Sequence, residues 1–238
     1  MARAVALGVA VLLTALPGEA QVLADAPSQS PRGGSVEFRV GSYKPQLDAE
    51  EGLSSAPFAD IFGESRWWLF ELELQRFFYQ GIGTAGVSLS AGYAEKYGNA
   101  LLADGTKSVE RQGFHVVPLH LRAIYRFDYP AFKWGFPLIP YIKPGLVYMP
   151  WWTTKGGKIE TVGNVRGSGG KFGWEVAGGV SFLLDVLEPR FARDFDSDLG
   201  INHSYVFAEY TYSKVNNFGG KGFNLSDSYW MFGLALDY

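Results

Sequence analysis

The stretch that most constrains this chain is Ser228–Tyr238, SYWMFGLALDY. Every second residue, Trp230, Phe232, Leu234, Leu236 and Tyr238, is large and apolar. The residues between them, Tyr229, Met231, Gly233, Ala235 and Asp237, are mostly smaller or polar. A period of two is the signature of a strand whose two faces meet different surroundings. About nine to eleven residues suffice for a tilted strand to cross a bilayer, so this strand fits either a membrane barrel or the last strand of a soluble one.

The same rhythm recurs upstream. Seven further strands are expected at about Ser35–Ser42, Trp67–Phe78, Thr84–Tyr97, Gly113–Phe127, Phe136–Tyr148, Lys171–Leu184 and Asn202–Lys214. The fifth carries Pro137, Pro140 and Pro144, which cannot donate to a ladder, and is expected to be bulged or locally unpaired. Long connections, Tyr43–Arg66, Gly98–Gln112, Met149–Gly170 and Val215–Asp227, follow the odd-numbered strands. Short ones, Tyr79–Gly83 and Asp128–Gly135, follow the second and fourth. Outer-membrane barrels show this asymmetry, with short periplasmic turns and long outer loops. The sixth connection, Asp185–Ile201, breaks the rule and suits one or two amphipathic helical turns.

Which solvent the faces meet follows from where the charges fall. On the second strand Glu71 and Glu73 alternate with Phe70, Leu72 and Leu74. Charges at alternate positions of an apolar strand are misplaced against lipid and belong in a polar lumen. A soluble barrel would turn the polar face outward, but here that face is rich in Gly and Ala and poor in Lys, unlike a solvated exterior. Trp67, Trp68, Tyr129, Trp134, Trp151 and Trp152 lie near expected strand ends and are read as interfacial girdles. The fold class expected is all-β, an eight-stranded antiparallel up-and-down transmembrane β-barrel.

Targeting agrees with export. Arg3 precedes the apolar run Ala4–Leu16, too short for a membrane helix, and Pro17-Gly18-Glu19-Ala20 offers a cleavage site after Ala20. Residues 1–20 are therefore expected to be a signal peptide, 21–34 a flexible periplasmic leader, and 35–238 the barrel. No cysteine is present, which excludes thiol chemistry and thiolate-bound metals. A net charge of −3 gives no basic field, so no nucleic-acid partner is expected.

Candidate chemistry centres on the inward charges. Glu71, Glu73, Arg122, Lys143, Glu175 and Glu209 are expected to form a lumen charge network, joined by Glu37, Arg39, Arg126 and Asp237. An eight-stranded barrel is just wide enough for side chains to fill, and acids and bases confined there should pair. A narrow ion path and a catalytic carboxylate dyad are the alternatives. His115 and His120 are five apart on one strand and point to opposite faces, so they do not share a metal. His203 and Ser204 invite comparison with lipid A deacylases and acyltransferases, but adjacent strand residues also point opposite ways. No metal, cofactor or enzymatic activity is expected.

Gly41–Asp48 (GSYKPQLD), Pro57–Gly63 (PFADIFG), Ile124–Tyr129 (IYRFDY), Ile139–Tyr148 (IPYIKPGLVY), Gly173–Pro189 (GWEVAGGVSFLLDVLEP), Gly200–Tyr210 (GINHSYVFAEY) and the terminal strand together resemble a family of outer-membrane β-barrel proteins frequent in myxobacteria, with no assigned activity. The likeness to small barrels of the OmpA and OmpW classes is one of architecture. Trp230, Phe232, Leu234, Leu236 and Tyr238 resemble the C-terminal signal by which the barrel-assembly machinery recognises its clients. These resemblances imply a Gram-negative outer-membrane location, with outer-membrane lipid and lipopolysaccharide as surroundings. The role they leave open is structural or surface interaction, or else a narrow channel or hydrophobic-solute conduit. A lipid A-modifying enzyme comes third.

Overall fold

The computed structural model describes residues 32–49, 56–101, 106–162, 165–187, 200–220 and 222–238. The expected signal peptide and most of the leader lie outside them. Eight strands form one closed sheet: β1 (Gly34–Tyr43), β2 (Trp67–Gln80), β3 (Thr84–Leu101), β4 (Lys107–Val116 continued by Leu119–Arg126), β5 (Leu138–Lys155), β6 (Ser168–Leu183), β7 (His203–Val215) and β8 (Asp227–Asp237). Each pairs antiparallel with its sequence neighbours. β8 returns to β1, from Ser35 opposite Asp237 to Gly41 opposite Met231, and closes the barrel without an edge.

The two runs of β4 are one strand. Pro118 lacks an N–H and interrupts the ladder, but the register against β3 and β5 is the same on both sides of it. Val117 N–H still donates to Pro150 O at 2.9 Å, and Gly92 N–H to Pro118 O at 2.8 Å. The prolines of β5 act in the same limited way. They leave a gap in the pairing with β4 between Gly145 and Ile142, while the register with β6 runs unbroken from Trp152 to Leu138. β5 is thus locally unpaired on one side and not bulged.

The barrel is polar inside and apolar outside. Along β2, Phe70 is 59% exposed while its neighbours Glu71 and Glu73 are 5% and 0% exposed, and the alternation repeats on every strand. Apolar Phe38, Leu72, Leu121, Ile142, Leu146 and Phe232 face outward. In water this surface would be a continuous apolar belt far larger than monomers tolerate. In a bilayer it is the lipid-facing wall, and closure satisfies the backbone hydrogen bonds that hydrocarbon cannot. The chain is therefore an outer-membrane-type β-barrel; among the described residues no helix is long and apolar enough to cross a membrane.

Several boundaries differ from the sequence expectation. Gly98–Gln112 is mostly strand, since β3 runs to Leu101 and β4 begins at Lys107. β5 likewise runs to Lys155 and β6 starts at Ser168, so the loop expected at Met149–Gly170 is shorter. Polar composition hid the extension of β3 and β4, where neither face need be greasy; that of β5 keeps its alternation, with Met149 and Trp151 inward. The end of the leader is also fixed: Gly33 and Gly34 N–H donate to Tyr238 O at 2.6 and 3.1 Å. At the short-turn end, α1 (Tyr129–Trp134) lies between β4 and β5 and stops at Gly135, whose left-handed φ of 70° suits glycine. The connection after β6 opens with a 3₁₀ turn at Leu184–Val186, and residues 188–199 lie outside the described residues.

Closure has a clean probe, because the chain lacks cysteine. Phe38→Cys with Leu234→Cys, opposite each other on β1 and β8, should form a disulfide on mild oxidation of the folded protein. Failure to cross-link would mean that the seam is open.

Candidate functional site: the filled lumen

The interior is layered. Its middle is charged. Glu37 and Arg39 come from β1, Glu71, Glu73 and Gln75 from β2, His120 and Arg122 from β4, Lys143 from β5, Glu175 from β6 and Glu209 from β7, each the inward residue of its strand. The all-next-neighbour pairing of the barrel turns these scattered positions into one cluster.

Arg39 is the hub on one side. It contacts Glu37 at 2.7 Å, Glu73 at 3.1 Å and Glu71 at 3.2 Å, and also pairs with Glu209. Arg122 is the hub on the other, with Glu73 and Glu175 each at 2.6 Å. Lys143 reaches Glu37 and Glu73, both at 2.8 Å. His120 sits between Glu175 at 2.7 Å and Glu71 at 3.2 Å. Gln75 Nε2 donates to Glu37 at 2.5 Å and to Glu73 at 2.8 Å. Five carboxylates thus face two guanidiniums, one ammonium and one imidazole. Gly145 leaves room for this: a Cβ there would stand 2.7 Å from Arg122 Cγ.

Aromatic layers close both ends. Toward the long loops, Tyr43, Trp67, Leu69, Phe114, Met149, Tyr229 and Met231 fill the barrel. The first loop folds over them as α2, whose residues Pro57–Phe62 add Phe58, Ile61 and Phe62. Asp48 fixes that helix by accepting from the N–H groups of Phe58 and Ala59, both at 2.9 Å. Gly98 lets it approach β3, since a Cβ there would collide with the Ile61 carbonyl. Phe223 from the last loop packs on Phe58 and Trp151, with centroids at 5.0 and 4.5 Å. Arg66 ties the first loop to β8 through Asp227 at 2.5 Å. Toward the short turns, Ile139, Tyr141, Leu183, Tyr205, Phe207 and Ala235 form the second layer. Arg126 lies there on the Tyr205 ring at 4.7 Å and pairs with Asp237 at 2.9 Å.

All six network residues expected from sequence, Glu71, Glu73, Arg122, Lys143, Glu175 and Glu209, are brought together. His120 and Gln75 complete the cluster, and their signal was parity: each shares a face with a charged residue two positions away. Two girdle assignments are corrected. Trp67 points inward and is 5% exposed; Trp151 also points inward, stacked on Phe114 at 5.8 Å. Proximity to a strand end could not distinguish them from Trp68 and Trp152, whereas the parity of each strand does. Trp68 and Trp134 are both 71% exposed, Tyr129 packs edge-on to Trp134, and Trp152 lies on the outer face with His115. On β8, Trp230, Phe232, Leu234 and Tyr238 face outward and Leu236 is half-buried on the same side. His120 meets carboxylates, and His203 Nδ1 pairs with Asp185 at 2.6 Å. Among the described residues no group of three His, Asp or Glu side chains could hold a metal.

No family model matches the chain, and no curated protein matches it. Solved structures with a similar course include Ail, the attachment invasion locus protein of Yersinia pestis, at 14% identity over 87% of this chain and 99% of that one, TM-score 0.45. Neisserial surface protein A matches at 12% identity over 88% and 98%, TM-score 0.44. The outer membrane protein OprG of Pseudomonas aeruginosa matches at 14% identity over 88% and 98%, TM-score 0.48. Likeness of this degree carries no argument about role, and the barrel stands on its own strand pairing and its inverted faces.

Breaking the network should be costly. Arg122→Met strands Glu73 and Glu175 without their closest cation and should lower stability by about 3–5 kcal/mol. Lys44→Met, at a partly exposed ion pair on the rim, should cost about 0.5 kcal/mol or less. Denaturant unfolding from lipid vesicles, followed by Trp fluorescence, measures both.

Proposed function

We propose that the chain is an integral outer-membrane protein with a closed, non-conducting barrel that serves as a rigid scaffold for its outer face. The carrying observation is the filled lumen. A charged layer whose acids all lie within ion-pair distance of a base is sealed by aromatic side chains at both ends, and Arg39, Arg122, Lys143 and Glu209 are each 3% exposed or less. An ion path needs a continuous wet route and sites that release their ions, whereas here each carboxylate is held by at least one neighbouring cationic side chain or imidazole. A hydrophobic solute would have to pass the same charged layer.

The exterior then has two partners. Outer-membrane lipid and lipopolysaccharide would wet the apolar wall, with Trp68, Trp152 and Trp134 at its borders. The barrel-assembly machinery would recognise Trp230, Phe232, Leu234, Leu236 and Tyr238, which share the outward face of the closing strand. The surface left for interaction comprises the rims of β3–β4 and β5–β6 above the belt, because the first and last loops are partly spent as the lid.

Planar-bilayer recording tests this. The purified folded barrel should give no unitary steps. Steps that change size or selectivity on Glu71→Gln or Lys143→Gln would replace the scaffold reading with a channel through this network.

A further inference from the structure

A polar hollow lies on the outer wall where β7, β8 and the start of the first loop meet. Its volume is about 110 Å³, and Gln46, Tyr212, Lys214, Asn216, Asn224 and Ser228 line it. Strand parity sets its direction. On β7, Tyr212 and Lys214 are exposed while Thr211, Ser213 and Val215 are buried, and on β8 Ser228 shares the face of exposed Trp230. None of the six belongs to the charged layer of the lumen or to the aromatic layers that close it.

The hollow is rich in donors. Asn216 Oδ1 accepts from Gly219 N–H and Asn224 Oδ1 from Ser226 N–H, each at 3.0 Å. An N–H partner fixes which amide atom is the oxygen, so both side-chain NH2 groups are left to donate elsewhere. Lys214 adds an ammonium, and among the described residues no carboxylate pairs with it. Tyr212 and Ser228 add hydroxyls. The one carboxylate in the lining, Asp227, is already engaged: its Oδ2 accepts from the Lys44 backbone N–H at 2.7 Å and from Arg66 Nη2 at 2.5 Å. Glu64, on the same rim, pairs with the Lys44 ammonium. An ammonium beside free amide and hydroxyl donors, with the neighbouring acids held by other cations, is the chemistry that takes an oxyanion. The volume suits a group of phosphate size.

Toward the membrane the same face carries aromatic rings. Trp174, opposite Lys214 in the register, packs on Tyr212 at 5.6 Å, and Tyr210 packs on Trp230 at 5.2 Å. Tyr and Trp gather at the level of lipid headgroups, so the hollow stands where a headgroup lies beside the wall. We propose that it holds a phosphate group of an outer-leaflet lipid. Lys214 supplies the charge, Asn216 and Asn224 donate to the phosphate oxygens, and the acyl chains run down the wall over Tyr210 and Trp230. This rests on the outer-membrane reading above, under which the long-loop end faces the exterior. Asn216 and Asn224 come from the last loop, which thus serves the wall as well as the lid.

The test is lipid retention by the folded full barrel, read by native mass spectrometry. The probes are bis-phosphorylated lipid A, the same lipid with both phosphates removed, and inorganic phosphate. The phosphorylated lipid should be retained, and the dephosphorylated one should bind about tenfold or more weakly. Lys214→Met should weaken retention of the phosphorylated lipid by a similar factor, while Lys214→Arg should keep it. Asn216→Asp together with Asn224→Asp preserves the acceptors of Gly219 and Ser226 N–H but replaces two donors by negative charges, so it should abolish retention. Each protein is taken from the outer-membrane fraction as a heat-modifiable band, so a negative result bears on the hollow and not on the barrel. Equal retention of the two lipids, retention unchanged in Lys214→Met, or binding of inorganic phosphate without the lipid would overturn the proposal.

Discussion

Placing an arginine or lysine against the hydrocarbon midplane costs about 2–4 kcal/mol, and most of this structure follows from avoiding that cost. Ten charged residues alternate with apolar ones on seven strands, so one face of the sheet must turn away from lipid. Curling the sheet puts that face inside and removes its edges, and eight strands leave a bore that side chains can fill. Inside, the charges are far from water and each needs an opposite partner. Arg39 and Arg122 meet that need by each contacting at least two carboxylates, which ties β1, β2, β4, β6 and β7 to one another across the bore.

The lid follows from the same need. An ion-pair network open to water would be screened and hydrated. Here Phe114, Trp67 and Tyr43 cover it, and α2 is pinned above them by Asp48, Gly98 and Arg66. The first loop is therefore part of the core. It closes the barrel at the long-loop end.

Much of this was legible in the chain. Period-two alternation gave the eight strands, and the acids of β2 gave the orientation of the faces. Once the faces were set, parity alone assembled the lumen network. What parity gives only after the register is known was missed. Trp67 and Trp151 look like girdle residues until their position relative to Glu71 and Lys143 is counted. The polar segment after Tyr97 reads as a loop because strand periodicity fades where both faces meet water, and the segment after Tyr148 reads as one because Pro150 and the glycines beyond mask the alternation of inward Met149 and Trp151. The contacts of His115 with Glu95 and Thr154 on the outer wall depend on the register of three strands, which periodicity alone does not supply.

The most direct test of the account is an unboiled-against-boiled gel of the protein taken from density-gradient membrane fractions. The account requires the protein in the outer-membrane fraction, running as a compact band that shifts on heating, because a closed barrel with a sealed, paired interior resists detergent. A soluble periplasmic protein with no heat-dependent shift would contradict it, for the charged face would then have to meet water and the apolar face would have to line the interior.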